Sequence, residues 1–328
     1  MGTTSDKLAY LNQTKAEIKN AIIEKGVEVA DTDSFRSYAN KIAQIKAGSD
    51  ESPKMFGVSL NDLFGDLNSD GILMPSSWNG ELDFTGVKVL FSKALTGLFY
   101  GDTKVKSVNF PSLTSIGFSA LEKTFRECTN ITSINLSSVT DVAQMGLAYT
   151  FYGCTKIQNA DLSSLATMAS TNGLYYCFYG CTNLLSVDLS SLTNTNKTGL
   201  YYCFNGCTKL TSVDLSSLTE VGELGLGSAF NGCTNLENIN FDSLTTLGKT
   251  AFSSAFYNCK KITKFSFPSL TSVQTDSFGS STSNTAFRSC TALTEIHFRA
   301  DMQSTIEAMS QYANKWGAPS TCEIYFDL

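Results

Sequence analysis

Cys181–Leu192 reads C-T-N-L-L-S-V-D-L-S-S-L, and Cys207–Leu218 repeats it almost unchanged as C-T-K-L-T-S-V-D-L-S-S-L. Looser copies occupy most of the chain from residue 102 to residue 300. The central apolar residues of the copies are Leu82, Val108, Ile134, Ala160, Val187, Val213, Ile239, Phe265 and Ile296. They are 26 or 27 residues apart, apart from a last step of 31. Such a constant period predicts a solenoid in which one repeat forms one coil.

Composition excludes several classes of function. The 328 residues include 24 Lys and Arg against 30 Asp and Glu, so the net charge is −6. Nucleic acid is therefore not an expected partner, because phosphate contacts need clustered basic residues. No apolar stretch approaches the roughly 20 residues of a membrane span, so membrane insertion is not expected. Residues 1–10 lack the apolar core of a signal peptide, so we expect either a protein that is not exported by one or a sequence that starts after one.

Each repeat divides into three pieces. Residues 184–189 have the L-x-x-L-x-L form of a repeat strand, and residues 244–248 show a second extended piece. A short helix is predicted over 250–256, because its apolar residues recur at helical spacing before Cys259. The sequence therefore predicts an α/β solenoid with parallel strands.

The recurring form L-T-x-[LIV]-G-x-x-A-F-x-x-C-x-x-L-x-x-[IV] resembles the BspA-like leucine-rich repeats of bacterial surface and host-associated proteins. The resemblance covers about residues 102–300. The usual leucine-rich repeat has Asn or Cys at its ninth position, where this chain has Leu192, Leu218 or Leu244. The resemblance implies a binding scaffold and fits this departure.

The flanking segments differ from the repeats. Residues 1–47 have the pattern of a two-helix hairpin for docking or oligomerisation, and 48–101 form a linker and N-terminal cap. Residues 301–328 form a C-terminal cap with one helix and a last strand. The hairpin resembles a helical module of tail and baseplate proteins from phages of Gram-positive bacteria. That resemblance implies docking to tail or baseplate proteins, and it rests on Lys15, Ile18, Ala21, Ile22, Ile23, Lys25, Gly26, Val27, Val29, Thr32, Phe35, Tyr38, Ala39 and Ile42.

Little in the sequence points to catalysis. His297 is the one histidine, so a Ser-His-Asp or Cys-His arrangement could be built only with it. No glycine-rich phosphate loop follows a strand, and no cofactor is expected. Seven of the ten cysteines recur once per repeat, and we expect them to be reduced and buried. Cys177 and Cys203 precede two of these by four residues, which leaves zinc or a disulfide as alternatives that we do not favour.

Two rows of side chains are candidates for ligand binding. Asp161, Asp188 and Asp214 share one strand position, so we expect an outward acidic row about 5 Å apart. This row could bind a cation or polar ligand, or be a solvated ridge. Tyrosines also recur in register before the cysteines, and they could be exposed contacts or could pack between coils. These tyrosines are Tyr149, Tyr175, Tyr176, Tyr201 and Tyr202.

Two functions are compatible with these features. One is a phage tail or baseplate receptor-binding protein that is located in the virion. It would attach to a bacterial cell-surface protein or glycan and could form a homo-oligomer. The alternative is a bacterial adhesin, secreted or at the cell surface, that binds host proteins.

Overall fold

The fold is taken from a computed structural model, which describes residues 67–68, 71–72 and 79–328. The chain divides into two units, Met1–Trp78 and Asn79–Leu328. In the first unit, β1 (Leu67–Asn68) pairs antiparallel with β2 (Gly71–Ile72). The two-helix hairpin predicted over 1–47 lies outside the described residues, and so do the residues that resemble a phage module.

The second unit is a solenoid of about nine turns. One strand of each repeat contributes to its first face, and the central apolar residues pair in register, as Val187 does with Val213. Every strand pair on this face is parallel. The strands are β3 (Glu81–Asp83), β5 (Ser107–Asn109), β7 (Ser133–Asn135), β9 (Asn159–Asp161), β11 (Ser186–Asp188), β12 (Ser212–Asp214), β14 (Asn238–Ile239), β16 (Lys264–Phe267), β18 (Glu295–Phe298) and β19 (Glu323–Phe326).

A second face consists of two-residue strands that are also parallel. It divides into two sheets, and Asn194, in the coil between them, makes an isolated parallel bridge with Glu220 of the second sheet. Its strands are β4 (Val89–Leu90), β6 (Ser115–Ile116), β8 (Asp141–Val142), β10 (Thr167–Met168), β13 (Glu220–Val221), β15 (Thr246–Leu247) and β17 (Ser272–Val273). The predicted parallel-strand solenoid is thereby confirmed.

The third side of each coil is a ribbon of turns, and the short helix predicted over 250–256 is wrong. Backbone N–H groups along the ribbon alternate between two acceptors. Thr124 N donates to Leu121 O within its own coil (3.1 Å), whereas Phe125 N donates to Thr150 O of the next coil (3.1 Å). Because both kinds of bond satisfy the backbone, no helix is needed. The α/β class is therefore not confirmed, since the repeats consist of strands and turns.

The bonds between successive ribbons form continuous chains. Each acceptor carbonyl belongs to the same peptide group as the next donor N–H, so Phe125 N donates to Thr150 O and Phe151 N donates to Cys177 O. This chain continues at 2.9–3.0 Å through the N–H groups of Phe178, Phe204, Phe230 and Phe256. All of its N–H groups point toward the C-terminal coils.

The ribbon requires left-handed backbone at every fourth residue. Ser119, Lys123 and Glu127 have φ of 51°, 58° and 62°, which L-residues adopt only at a cost. The position immediately before each repeat cysteine belongs to this series. Glycine fills it in four consecutive coils, at Gly153, Gly180, Gly206 and Gly232, with φ between 69° and 75°.

The core is a set of side-chain columns that run along the solenoid. The predicted column of central apolar residues is in register, with Val108, Val187 and Phe265 buried, although Ile134 and Ile239 are only half-buried. A phenylalanine column stacks at ring-centroid distances of 5.5–5.8 Å, and full burial of each ring contributes about 1.5–3 kcal/mol. Its members are Phe99, Phe125, Phe151, Phe178, Phe204, Phe230 and Phe256.

The C-terminal cap covers the last coil. Its helix is α1 (Gln303–Glu307), which does not extend through Lys315 as its sequence pattern predicts, and 3-10 turns over Ala300–Met302 and Tyr312–Gly317 flank it. Trp316 is fully buried against Phe278 at a centroid distance of 4.7 Å, and its indole N–H donates to Ser310 O at 2.9 Å. The buried Trp316 side chain thus covers the apolar end of the solenoid, as a further coil would.

Candidate binding surfaces

The cysteines are structural. All ten are free and buried, and the burial of the seven repeat cysteines was predicted. Seven thiols donate to a phenylalanine carbonyl of the preceding coil, as Cys207 Sγ does to Phe178 O at 3.1 Å. Cys177 and Cys203 occupy the column where Thr124 and Thr150 stand in earlier coils, and both are free, buried thiols. Among the described residues, no cluster of His, Cys, Asp and Glu could hold a metal ion.

Burial makes these thiols unreactive. Removal from water raises the pKa of Cys128 and Cys290 to about 12, and it also raises the pKa of Cys181 and Cys207 well above the ordinary thiol value. The thiolate is the form of cysteine that acts as a nucleophile or metal ligand. The thiols of this column stay protonated at neutral pH, so we expect them to be unreactive.

Local hydrogen bonding explains why Asp or Asn stands at the end of several strands of the first face. The Oδ1 atoms of Asp161, Asp188 and Asp214 each accept a hydrogen bond from the backbone N–H two residues later, at 2.9–3.0 Å. Asn135 and Asn240 make the same turn in other coils. The turn needs one acceptor oxygen but no charge, because the amide side chain serves equally well.

The predicted acidic row lines a groove on the first face. Asp161, Asp188 and Asp214 are exposed and in register on neighbouring strands, so they lie about 4.8 Å apart from coil to coil. The groove has a volume of about 840 Å³. Its floor holds small polar side chains at the first position of the strands, and Lys264 occupies that position at the C-terminal end. The floor residues are Asn159, Ser186, Ser212 and Asn238.

The five predicted tyrosines form one cluster on the turn ribbons, which we call the tyrosine ridge. Tyr176 stacks between Tyr149 (5.1 Å) and Tyr202 (4.6 Å), and Tyr175 stacks on Tyr201 (5.5 Å). All five side chains are half-buried. The tyrosines therefore both pack between coils and remain accessible to solvent. The ring faces pack between coils, while other parts of each side chain reach solvent.

Neighbouring side chains extend the ridge. Tyr152 stacks on Tyr179 at 4.7 Å, and the Arg126 guanidinium lies 4.5 Å from the centre of the Tyr152 ring. Burial raises the pKa of Tyr201 to about 12 and raises that of Tyr176 further. The phenols of Tyr176 and Tyr201 thus stay protonated at neutral pH and can donate hydrogen bonds to a ligand.

Sequence reasoning missed part of both surfaces. It did not identify the floor residues of the groove or Arg126 of the ridge. The floor residues could have been found, because they precede the central apolar residue by one position in each repeat. Arg126 gave no such signal, since its column holds Tyr, Asn or Arg in different coils.

The described residues offer binding surfaces and no catalytic arrangement. Both ring nitrogens of His297 lie at hydrogen-bonding distance from carboxylates, those of Glu295 and Asp327. Leucine-rich repeat proteins are generally non-catalytic scaffolds, and nothing here indicates enzymatic activity. No helix among the described residues is long and apolar enough to cross a bilayer.

Solved structures with similar folds come from several bacteria. A leucine rich cell surface protein from Faecalibacterium prausnitzii is 15% identical, with a TM-score of 0.34, and the match covers 70% of this chain and 61% of that one. The Leucine Rich Repeat protein of T. pallidum is 23% identical, with a TM-score of 0.31 and coverage of 49% and 64%. A leucine-rich repeat protein from Bacteroides ovatus is 16% identical, with a TM-score of 0.29 and coverage of 80% and 100%. The chain thus spans less than two thirds of the first two structures.

A family model gives the assignment. No curated protein matches the sequence. The model described as "BspA type Leucine rich repeat region" matches residues 95–224, 173–285 and 201–314. Together these matches span 220 of the 328 residues. The chain therefore belongs to the BspA-type leucine-rich repeat proteins.

Proposed function

We propose that this protein is a non-catalytic adhesin that acts at a bacterial cell surface and binds a host protein through the acidic groove. The family supports a binding or adhesion role of this general kind. A phage tail or baseplate function, with location in the virion, gains no support from the fold or the family. The groove is the primary surface of the proposal, and the tyrosine ridge is a second one.

The surplus charge of the acidic row carries the proposal. Like charges on directly neighbouring strands repel, at a cost of roughly 0.2–1 kcal/mol per pair. The turn that follows each of these three aspartates would form equally well with asparagine, as it does at Asn135 and Asn240. Three consecutive aspartates thus bring an unfavourable charge that the fold does not need. Basic side chains on a partner protein would turn this repulsion into attraction.

The experiment compares variants that keep the turn and remove the charge. Asp161→Asn, Asp188→Asn and Asp214→Asn are combined in one chain, and binding is measured by biolayer interferometry against a panel of immobilised host extracellular proteins. Asp83→Asn is the matched control, because Asp83 Oδ1 accepts the same bond from Thr85 N (3.1 Å) and lies outside the groove lining.

We expect the triple variant to lose at least tenfold in affinity for a panel member that the wild type binds, while the control binds normally. The loss should shrink as salt is raised, because salt screens exposed charges. Equal binding by the triple variant and the control would show that the acidic row is not the site. Combined Tyr176→Ala and Tyr202→Ala changes then test the ridge.

A further inference from the structure

Lysines recur at every second coil along one edge of the solenoid. They stand two residues after the cysteine of a repeat, or two residues after Asp102 in the first such coil, and the coils between them have asparagine there. In chain order the position holds Lys104, Asn130, Lys156, Asn183, Lys209, Asn235 and Lys261. We call the four lysines the lysine row. All four are exposed, whereas the three asparagines are half-buried.

Asparagine holds two of these lysines in place. Lys156 Nζ donates to Asn130 Oδ1 at 2.7 Å, and Asn130 Nδ2 in turn donates to Thr103 O of the preceding coil at 2.7 Å. Lys209 makes the same bond to Asn183 Oδ1 at 2.7 Å, and Asn183 is likewise bonded to a backbone carbonyl of the preceding coil, at 2.6 Å. These ammonium groups are thus partly ordered before a ligand arrives, which lowers the entropy cost of binding.

The row carries positive charge that the fold leaves unbalanced. Between residues 79 and 328, Lys104, Lys156 and Lys209 form no ion pair with an acidic side chain. Lys261 does, with Glu237 Oε1 at 2.9 Å. An asparagine oxygen is a neutral acceptor, so it positions an ammonium group without cancelling its charge. Exposed cations at a fixed interval favour a partner that carries anionic groups at the same interval.

The interval of the row selects the backbone conformation of a linear partner. Neighbouring coils are about 4.8 Å apart, so consecutive lysines of the row lie about 9.6 Å apart. A polyproline II helix presents one residue of every three on the same side, at intervals of about 9.3 Å. Same-side residues of a β-strand recur at about 6.7 Å, and those of an α-helix at about 10.5 Å over seven residues. Over the whole row the mismatch is about 1 Å for polyproline II and about 3 Å for the α-helix.

We propose that the lysine row binds an acidic polyproline II segment of a partner protein, in which Asp or Glu recurs at every third residue. The segment would run along the solenoid axis, with one carboxylate facing each lysine. Because proline-rich chains already adopt this conformation in solution, little further order is needed on binding. None of the four lysines lines the acidic groove, so the row is a binding surface beyond the proposed function and independent of it.

Fluorescence anisotropy with a labelled synthetic peptide tests the proposal on the full chain. The probe contains one Glu-Pro-Pro repeat for each lysine of the row, and a Gln-Pro-Pro peptide of equal length is the uncharged control. We expect the glutamate peptide alone to bind. Combined Lys156→Gln and Lys209→Gln changes should weaken this binding by roughly five- to twentyfold, because each removes one exposed ion pair. Equal binding of the two peptides would overturn the proposal.

A second pair of lysines supplies the matched control. Lys197 and Lys249 are exposed and also stand two coils apart, but Glu223 lies between them and pairs with Lys197 at 2.9 Å. Lys197→Gln combined with Lys249→Gln removes the same charge and should leave peptide binding unchanged. An equal loss in both double variants would reduce the effect to net charge and overturn the proposal. Tighter binding of a heparin fragment, or of a helical peptide with glutamate at every seventh residue, would also overturn it, because the row would then suit a different partner.

Discussion

Substitutions at the turn-ribbon position that precedes the repeat cysteine should have opposite effects on stability in two different coils. Gly206 and Ser289 each precede a repeat cysteine, and both have left-handed backbone, with φ of 74° and 62°. A methyl group at Gly206 would be 3.8 Å from Gly180 Cα, which is ordinary contact, so Gly206→Ala introduces no clash. The effect of this substitution should therefore come from backbone conformation alone.

The magnitude follows from two opposing effects. A left-handed conformation costs an L-residue about 1–2 kcal/mol, whereas the loss of glycine's freedom in the unfolded chain returns about 0.4–1 kcal/mol. Gly206→Ala should therefore destabilise the solenoid by about 1 kcal/mol. Ser289 is exposed, so Ser289→Gly removes the same strain without removing buried contacts and should stabilise by a similar amount.

Urea unfolding measures both changes. With an m-value of about 3 kcal/mol/M, a change of about 1 kcal/mol moves the midpoint by roughly 0.3 M. The midpoint should fall for Gly206→Ala and rise for Ser289→Gly, with m unchanged in both. Gly227→Ala is a useful contrast, because its new methyl would lie 2.7 Å from Tyr201 Cδ2 and must displace that ring. Midpoint shifts of the same sign for Gly206→Ala and Ser289→Gly would refute the reasoning.

Three other outcomes are expected. Thiol titration with a chromogenic disulfide at neutral pH should find Cys207 and the other repeat cysteines unreactive until denaturant is added, because burial raises their pKa; rapid labelling of the native protein would contradict this. Ultraviolet titration should show that Tyr176 and Tyr201 ionise above the ordinary pH range of tyrosine. Because the folded state favours the neutral phenol, the free energy of unfolding should fall between about pH 10 and the raised pKa of about 12 for Tyr201. Ionisation of every tyrosine near pH 10 would argue against a packed ridge. Asp188→Asn should stabilise the fold by roughly 0.2–1 kcal/mol at low salt and less at high salt, and a destabilised variant would mean that its charge supports the turn.

The strands were predictable because their signal repeats. The period of 26 residues brings equivalent residues of successive coils side by side, which gave the pairing of Val187 with Val213 and the alignment of the aspartates. The turn ribbon was not predictable in this way. Leu174, Phe178 and Cys181 have a spacing that a helix would share, and all three are fully buried. What excludes the helix is hydrogen bonding between coils, which a single repeat does not reveal.

The two candidate surfaces differ in how far the sequence predicts them, and the reason is related. The acidic row follows from register alone, because residues at one strand position must lie side by side. The orientation of the tyrosine rings depends on their neighbours in adjacent coils. Tyr201 leans over Gly227, and Lys123 Nζ lies 5.7 Å from the centre of the Tyr149 ring. Such pairings join unlike residues at one repeat position, so a consensus of the repeat does not contain them.

The continuous hydrogen-bond chains of the turn ribbons make the two ends of the solenoid electrically unlike. Peptide dipoles that are aligned head to tail add together, as they do in an α-helix, and successive bonds polarise one another. The N–H groups point toward the C-terminal coils, so that end gains partial positive charge and the N-terminal coils gain partial negative charge. The cap compensates with acidic side chains in excess, since Asp301, Glu307, Glu323 and Asp327 outnumber Arg299 and Lys315. Two such arrays brought end to end would attract only in head-to-tail order, which gives this rod a direction as well as a length.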